Sequence, residues 1–196
     1  VVERAAITPS AAREAGLAAR RSLGPDRRRT LSLAAGRRLV GLPELEDATL
    51  LAGYLALPFE VDLADAQESL RSDGRVLHLP KVDDDATGPH MRFVEWRPGA
   101  EIVANRFGVG EVEGPTVALS ELSAVIVPCV AVAADGTRVG FGAGYYDRAL
   151  AGAPEPVRIG VAFEVQVVDR IDRQAWDVPM DVVVTDSSVR RWKRSR

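Results

Sequence analysis

TLLAGYLALPFEVDLADAQESLRSDGRVLHLP, residues 49–80, carries the pattern that sets the fold class. Residues 49–56 are a mostly apolar run that stops at Pro58 and read as a buried strand. Asp62 stands where a helix N-cap would, with the helix reaching about Ser72 and ending at Asp73-Gly74. Residues 75–79 read as a second strand, closed by Pro80. Strand, helix and strand in this rhythm predict a βαβ unit with a parallel pair. Further along the chain, residues 124–128, 157–163 and 182–184 are continuous apolar runs, typical of strands covered on both faces. Residues 91–96 alternate like a half-exposed strand, and residues 83–89 read as an acidic surface loop. At the amino-terminal side, residues 11–23 suit a helix, Gly24-Pro25-Asp26 breaks it, and a second helix runs from there to about Val40. The expected fold is α/β: an open, mostly parallel sheet with helices on both faces. Its ligands should lie beyond the carboxyl ends of the strands.

The chain has 196 residues, 46% hydrophobic and 27% charged, which suits one folded domain over residues 1–196 and argues against disorder. Cys129 is the only cysteine, which excludes an intrachain disulfide and a cysteine-based zinc cluster. With His78 and His90 as the only histidines, a three-histidine catalytic metal site is excluded too. No apolar run is long enough to span a membrane and none at the start resembles a secretory leader, so a cytoplasmic protein is expected. Charge is unevenly placed. Residues 1–40 form a basic helical arm with nine arginines against three acids, residues 188–196 a basic tail, and residues 41–189 are strongly acidic. Basic ends can grip phosphates or simply be solvated. The acidic body and the lack of any nucleic-acid-binding motif speak against DNA or RNA as a partner.

The chemistry concentrates in residues 135–148, DGTRVGFGAGYYDR. Gly140, Gly142 and Gly144 alternate ahead of a stretch with helix-forming character. Glycines let backbone N–H groups approach an anion, and a helix that opens on such a turn offers unpaired donors to a phosphate. Arg138 adds a fixed charge and a fork of donors, and Asp147 is a carboxylate suited to Mg²⁺ beside phosphate oxygens. The spacing is neither that of a P-loop nor that of a dinucleotide fingerprint. The same residues also suit a tight strand–helix corner with Tyr145 and Tyr146 in the core.

The segment Gly136-x-Arg138-x-Gly140-Phe141-Gly142-Ala143-Gly144-Tyr145-Tyr146-Asp147-Arg148 resembles the signature of the 5-formyltetrahydrofolate cyclo-ligase family, also called methenyltetrahydrofolate synthetases. Weaker matches follow in the family's order: Tyr54-Leu55 with Phe59-Glu60-Val61-Asp62, Val76-Leu77-His78-Leu79-Pro80-Lys81-Val82, Phe107-Gly108-Val109-Gly110-Glu111, the run Ile126-Val127-Pro128-Cys129-Val130 ahead of the signature, and the ending from Trp176 to Asp186. The resemblance implies a three-layer sandwich like that of sugar-phosphate isomerases and CoA-transferases. It implies ATP as co-substrate and Mg²⁺ as cofactor in the conversion of 5-formyltetrahydrofolate to 5,10-methenyltetrahydrofolate, ADP and phosphate. Phosphorylation of the formyl oxygen and ring closure would need no side-chain nucleophile, only positioning and charge stabilisation.

Carried onto this chain, the resemblance places Arg13, Arg138, Gly140, Phe141, Gly142, Ala143, Gly144, Tyr145 and Tyr146 on ATP. It places Leu55, Glu60, Phe107 and Tyr145 on the folate, with Glu60 accepting hydrogen bonds from the pterin ring. Asp147 and Asp181 would serve Mg²⁺, and Arg138 and Tyr145 would stand nearest the chemistry. Three positions depart from the family pattern. The lysine that precedes the first-helix arginine falls at Pro9, with Arg4 as a substitute; Phe141 replaces Tyr or Arg; and Ala143, in place of Gly or Lys, requires a negative φ. The Pro9 departure motivates an alternative, a paralogue that binds folate or nucleotide without turnover. An isomerase or CoA-transferase on the same sheet would need a carboxylate base or nucleophile and no ATP. Small molecules are the expected partners, with neither nucleic acid nor membrane among them. A monomer is the default, since the sequence does not give the oligomeric state.

Overall fold

The computed structural model describes residues 5–85 and 88–192. Arg4 and the last four residues of the basic tail lie outside them. Helices α1 (Pro9–Ser22) and α2 (Pro25–Val40) come first. Strand β1 (Leu50–Ala52) leads through α3 (Ala64–Ser72) to β2 (Val76–Asp85). Strands β3 (Gly88–Glu95), β4 (Val103–Ala104), β5 (Gly110–Glu111), β6 (Thr116–Val117), β7 (Ala124–Pro128), β8 (Ala131–Ala133) and β9 (Arg138–Val139) follow. The chain ends with α4 (Tyr145–Ala151), β10 (Val157–Val161), β11 (Val167–Val168), β12 (Val182–Val184) and β13 (Val189–Arg191).

The main sheet has the order β13-β12-β10-β7-β1-β2-β3-β6. Its five central strands, β12, β10, β7, β1 and β2, pair in parallel, and both rims are antiparallel. The βαβ unit is therefore real, with Leu51 opposite Leu77 across β1 and β2. Helices α2 and α3 cover one face, where Ala35, Leu39, Ala66 and Leu70 meet Leu51, Leu77, Ile126 and Ile159. On the other face Leu150 and Tyr146 of α4 join Val125, Val127 and Val183. Burial of each such leucine or isoleucine contributes about 1.5–3 kcal/mol, which is why the apolar runs end up central. A small sheet of order β11-β8-β9 carries α1, with Ala12 packed among Ala131, Ala133 and Val139. Thus the two helices of the basic arm lie on separate parts of the fold.

The structure corrects several boundaries. The first strand stops at Ala52 rather than Ala56. At Gly53 the chain leaves the sheet, and the Gln67 side chain, donating from Nε2 to Tyr54 O at 3.2 Å, fills the space beside it. Asp62 is not the N-cap, which is Leu63; its Oδ1 accepts from Ala64 N at 3.0 Å from one residue further out. The second strand continues through Pro80 to Asp85 and forms a long hairpin with β3, so most of the expected acidic loop is strand. Proline is tolerated there because β1 pairs only as far as His78, leaving β2 with one neighbour.

Candidate active site

Helix α1 lies against the small sheet at very short range. A Cβ on Gly16 would sit 2.0 Å from Val130 O, so only glycine permits this approach. Thr8 caps the helix through Oγ1, which accepts from Ala11 N, and Pro9 occupies its first turn. This seat aims Arg13 and Arg20, two turns apart on one side of the helix, at the glycine-rich loop. Arg13 Nε donates to Gly140 O at 2.8 Å, and its guanidinium lies 3.3 Å from where a Cβ of Gly142 would be. Gly142 and Gly144 have φ of 105° and 68°, values that favour glycine. Among the described residues Phe59 is the only non-glycine residue with positive φ, so Ala143 meets its requirement for a negative one. Gly144 begins α4 with no side-chain cap on the helix.

Arg138, with 3% of its side chain exposed, donates from Nη2 to Asp147 Oδ1 at 2.7 Å. Its Cζ lies 5.8 Å from the Tyr146 ring centre. Asp147 Oδ1 also accepts from Val178 N at 3.3 Å, tying α4 to the segment before β12. In this state, then, a phosphate-type cation and a metal-type carboxylate neutralise each other. Asp181 is placed differently. Its carboxylate takes Arg158 N and Nε on Oδ2 and Arg158 Nη2 on Oδ1, at 2.7–2.9 Å. The expectation that Asp181 joins Asp147 on Mg²⁺ finds no support in these contacts, because its oxygens are turned to the neighbouring strand's arginine. Both carboxylates are thus engaged by arginines, Asp147 by Arg138 and Asp181 by Arg158. Among the described residues no group of three or more His, Cys, Asp or Glu could hold a metal ion. Mg²⁺ shared with nucleotide phosphates needs only one or two carboxylates.

The expected folate residues fall into two clusters. Phe107, half exposed, stacks edge-on against Tyr145 with ring centres 6.1 Å apart. Asn105 builds the Phe107 loop: Oδ1 accepts from Phe107 N and Val109 N, and Nδ2 donates to Glu111 Oε1. Arg106 donates to the Tyr145 hydroxyl at 3.5 Å. Leu55 packs with Leu79, Val94 and Val112 under this loop. Glu60 belongs to the second cluster, buried on the loop that follows β1. Its Oε2 accepts from Leu57 N at 2.9 Å, and Oε1 lies 3.5 Å from Arg20 Nη1. Burial raises the Glu60 carboxyl above its usual range, against the Leu57 N–H and the Arg20 charge. Burial likewise lowers the Arg20 guanidinium, with Glu60 opposing. Arg20 in turn sits 5.1 Å below the centre of the Phe141 ring. Cys129 is buried and its thiol is pushed up to about 11 by desolvation, so it is no nucleophile.

Sequence reading passed over Arg20, Asn105 and Arg106. Arg20 had a signal. Ala12, Gly16 and Arg20 recur every four residues, the spacing of one helix face, and that face is the buried one.

Comparison with known proteins decides the lineage. The profile of the 5-formyltetrahydrofolate cyclo-ligase family matches residues 8–186. The chain belongs to this family. The cyclo-ligase of Escherichia coli K12 is 31% identical over 180 residues, covering 88% of this chain and 97% of that protein. The methenyltetrahydrofolate synthetase of Aquifex aeolicus, solved by NMR, superposes with a TM-score of 0.83 at 35% identity, over 96% of this chain and 94% of its own. The synthetase of Mycoplasma pneumoniae superposes with a TM-score of 0.74 at 25% identity, over 91% and 98%. As a cyclo-ligase, the chain is an enzyme of ATP-dependent one-carbon chemistry. No helix among the described residues is long and apolar enough to cross a membrane.

Proposed function

We propose that the glycine loop and the clusters around Phe107 and Glu60 hold ATP and 5-formyltetrahydrofolate together, and that the chain there carries out its family's reaction. The γ-phosphoryl group of ATP passes to the formyl oxygen and ADP leaves. The neighbouring folate nitrogen attacks the activated carbon, and phosphate departs with the former formyl oxygen to give 5,10-methenyltetrahydrofolate. The observation that carries this reading is the convergence of Arg13, Arg138 and Asp147 on residues 140–147.

Arg13 and the backbone of Gly140, Phe141, Gly142, Ala143 and Gly144 cradle the ATP phosphates, with Tyr145 and Tyr146 opening the helix behind them. Arg138 is released from Asp147 when a phosphate arrives, because a doubly charged oxygen cluster is the stronger partner for its fork. Asp147, freed in the same exchange, would hold Mg²⁺, which when bound neutralises charge on the phosphate oxygens. Asp181 is better read as the acid that fixes Arg158. Leu55, Phe107 and Tyr145 enclose the folate, and Glu60 accepts from its ring N–H groups. These groups position the reactants and stabilise phosphate charge, which is where catalysis of phosphoryl transfer resides. Small-molecule substrates, a monomeric chain and a cytoplasmic setting complete the proposal.

The test is the absorbance of methenyltetrahydrofolate in mixtures of protein and 5-formyltetrahydrofolate, with and without ATP and Mg²⁺. Product only in the presence of both is expected. Product without ATP, or none at all, overturns the reading.

A further inference from the structure

Arg20 is 4% exposed, yet its Nε and Nη1 have no hydrogen-bond partner among the described residues. Its carboxylate neighbour among the described residues, Glu60, stands at 3.5 Å, which is too long for a charge-assisted hydrogen bond. Burial of a guanidinium with unmade bonds is expensive, and an arginine placed only for stability would be fully paired. Unpaired donors of this kind are explained when a ligand completes them. The surroundings narrow the ligand to an uncharged acceptor. A second anion beside Glu60 would meet its negative charge, whereas a carbonyl oxygen would not. On one side of Arg20 is the acid read above as the folate acceptor, and on the other is Phe141 of the glycine loop. The pterin ring carries a carbonyl next to the ring N–H and amino donors that a carboxylate accepts. A carboxylate and a guanidinium side by side match this donor–acceptor edge.

We propose that Arg20 and Glu60 together read the pterin edge, Arg20 donating from Nε to the ring carbonyl while Glu60 accepts from the adjacent N–H groups. This rests on the folate reading given above. Arg20 is thus a substrate-binding, specificity-determining residue. It lies between the folate acid and the phosphate loop, and holds the ring at the end of the site where phosphoryl transfer occurs. The Arg20 charge opposes the burial that raises the Glu60 carboxyl.

The experiment is titration calorimetry of the full chain, without ATP, against 5-formyltetrahydrofolate and against a 4-amino folate analogue. The analogue replaces the ring carbonyl with an amino donor and removes the hydrogen from the neighbouring ring nitrogen, so its binding reports on Glu60 as well as Arg20, and the Arg20→Met comparison separates the two. The unaltered protein should bind the analogue about 10- to 100-fold more weakly, since donor would face donor. Arg20→Met should lose about the same factor for the oxo ligand and little or nothing for the analogue, with ATP affinity unchanged. Arg20→Lys, which keeps the charge and one donor direction, should recover part of the loss. Equal weakening of both ligands in Arg20→Met would show a purely structural role and overturn the proposal. So would equal affinity of the unaltered protein for the two ligands, a result that needs no variant to fold. If the unaltered protein binds neither ligand, the folate reading itself fails, and this outcome is distinct from the other two.

Discussion

Glu60 shows how one buried group sets a pH dependence. Burial holds its carboxyl above the ordinary range, so the carboxylate is lost as pH falls through that raised value. The KM for folate is therefore expected to climb on the acidic side of neutrality while kcat changes little. In Glu60→Gln this limb should flatten, with KM about 10- to 100-fold higher at pH 7, as for the loss of a hydrogen bond to a charged group. Initial rates across pH at saturating ATP check both. Cys129 makes the opposite case. With its thiol pushed up to about 11 and its side chain buried, iodoacetamide at pH 7.5 should leave it unmodified in the folded chain. Cys129→Ala should keep kcat within about twofold. Much of this scale was legible beforehand, because glycines, arginines and carboxylates in the 135–148 segment announce phosphate chemistry by their types. What the sequence could not show is direction. Arg20 and Arg21 are chemically identical neighbours, and only the seat of α1 turns one of them inward. Likewise the pairing of Asp181 with Arg158 depends on β10 lying beside it, which the sequence does not show.

At the scale of elements, the fit of α1 on the small sheet governs the site. Gly16→Ala would press a methyl into Val130 O and lift the helix, which should cost about 1–3 kcal/mol. Because Arg13 and Arg20 ride on that helix, the KM values for ATP and for folate should rise together. Urea titration and steady-state kinetics measure the two effects. Elements whose ends carry local signals were readable. Gly24-Pro25 opens α2 and Gly41 follows it, so that helix falls where the sequence puts it. β2 was cut short because Pro80 reads as a stop from its own chemistry. Whether proline is tolerated in a strand depends on how many neighbours that strand has, and this is a property of the sheet.

For the whole molecule, the last strand is pinned to the body by ion pairs. Glu164 accepts from Arg190, Thr185 and Ser188, while Glu44 accepts from Arg191. Arg190 is the main reason Glu164 titrates below its usual range. Its contribution to stability is complete above the unfolded value of about 4.3 and is lost as pH falls through the lower folded one. Since the pair is partly solvated, Glu164→Gln should cost at most about 1 kcal/mol at pH 7. That difference should shrink as pH falls below the unfolded value of about 4.3, and urea midpoints of both proteins across that range provide the test.

The bond from Arg13 to Gly140 joins residues 127 positions apart. For a chain emerging from the ribosome, the first helix is made early and then waits for the strands that seat it and for the loop its arginines face. A message truncated anywhere before that loop yields a product with no phosphate site at all, so catalytic competence arrives late in synthesis and in one step.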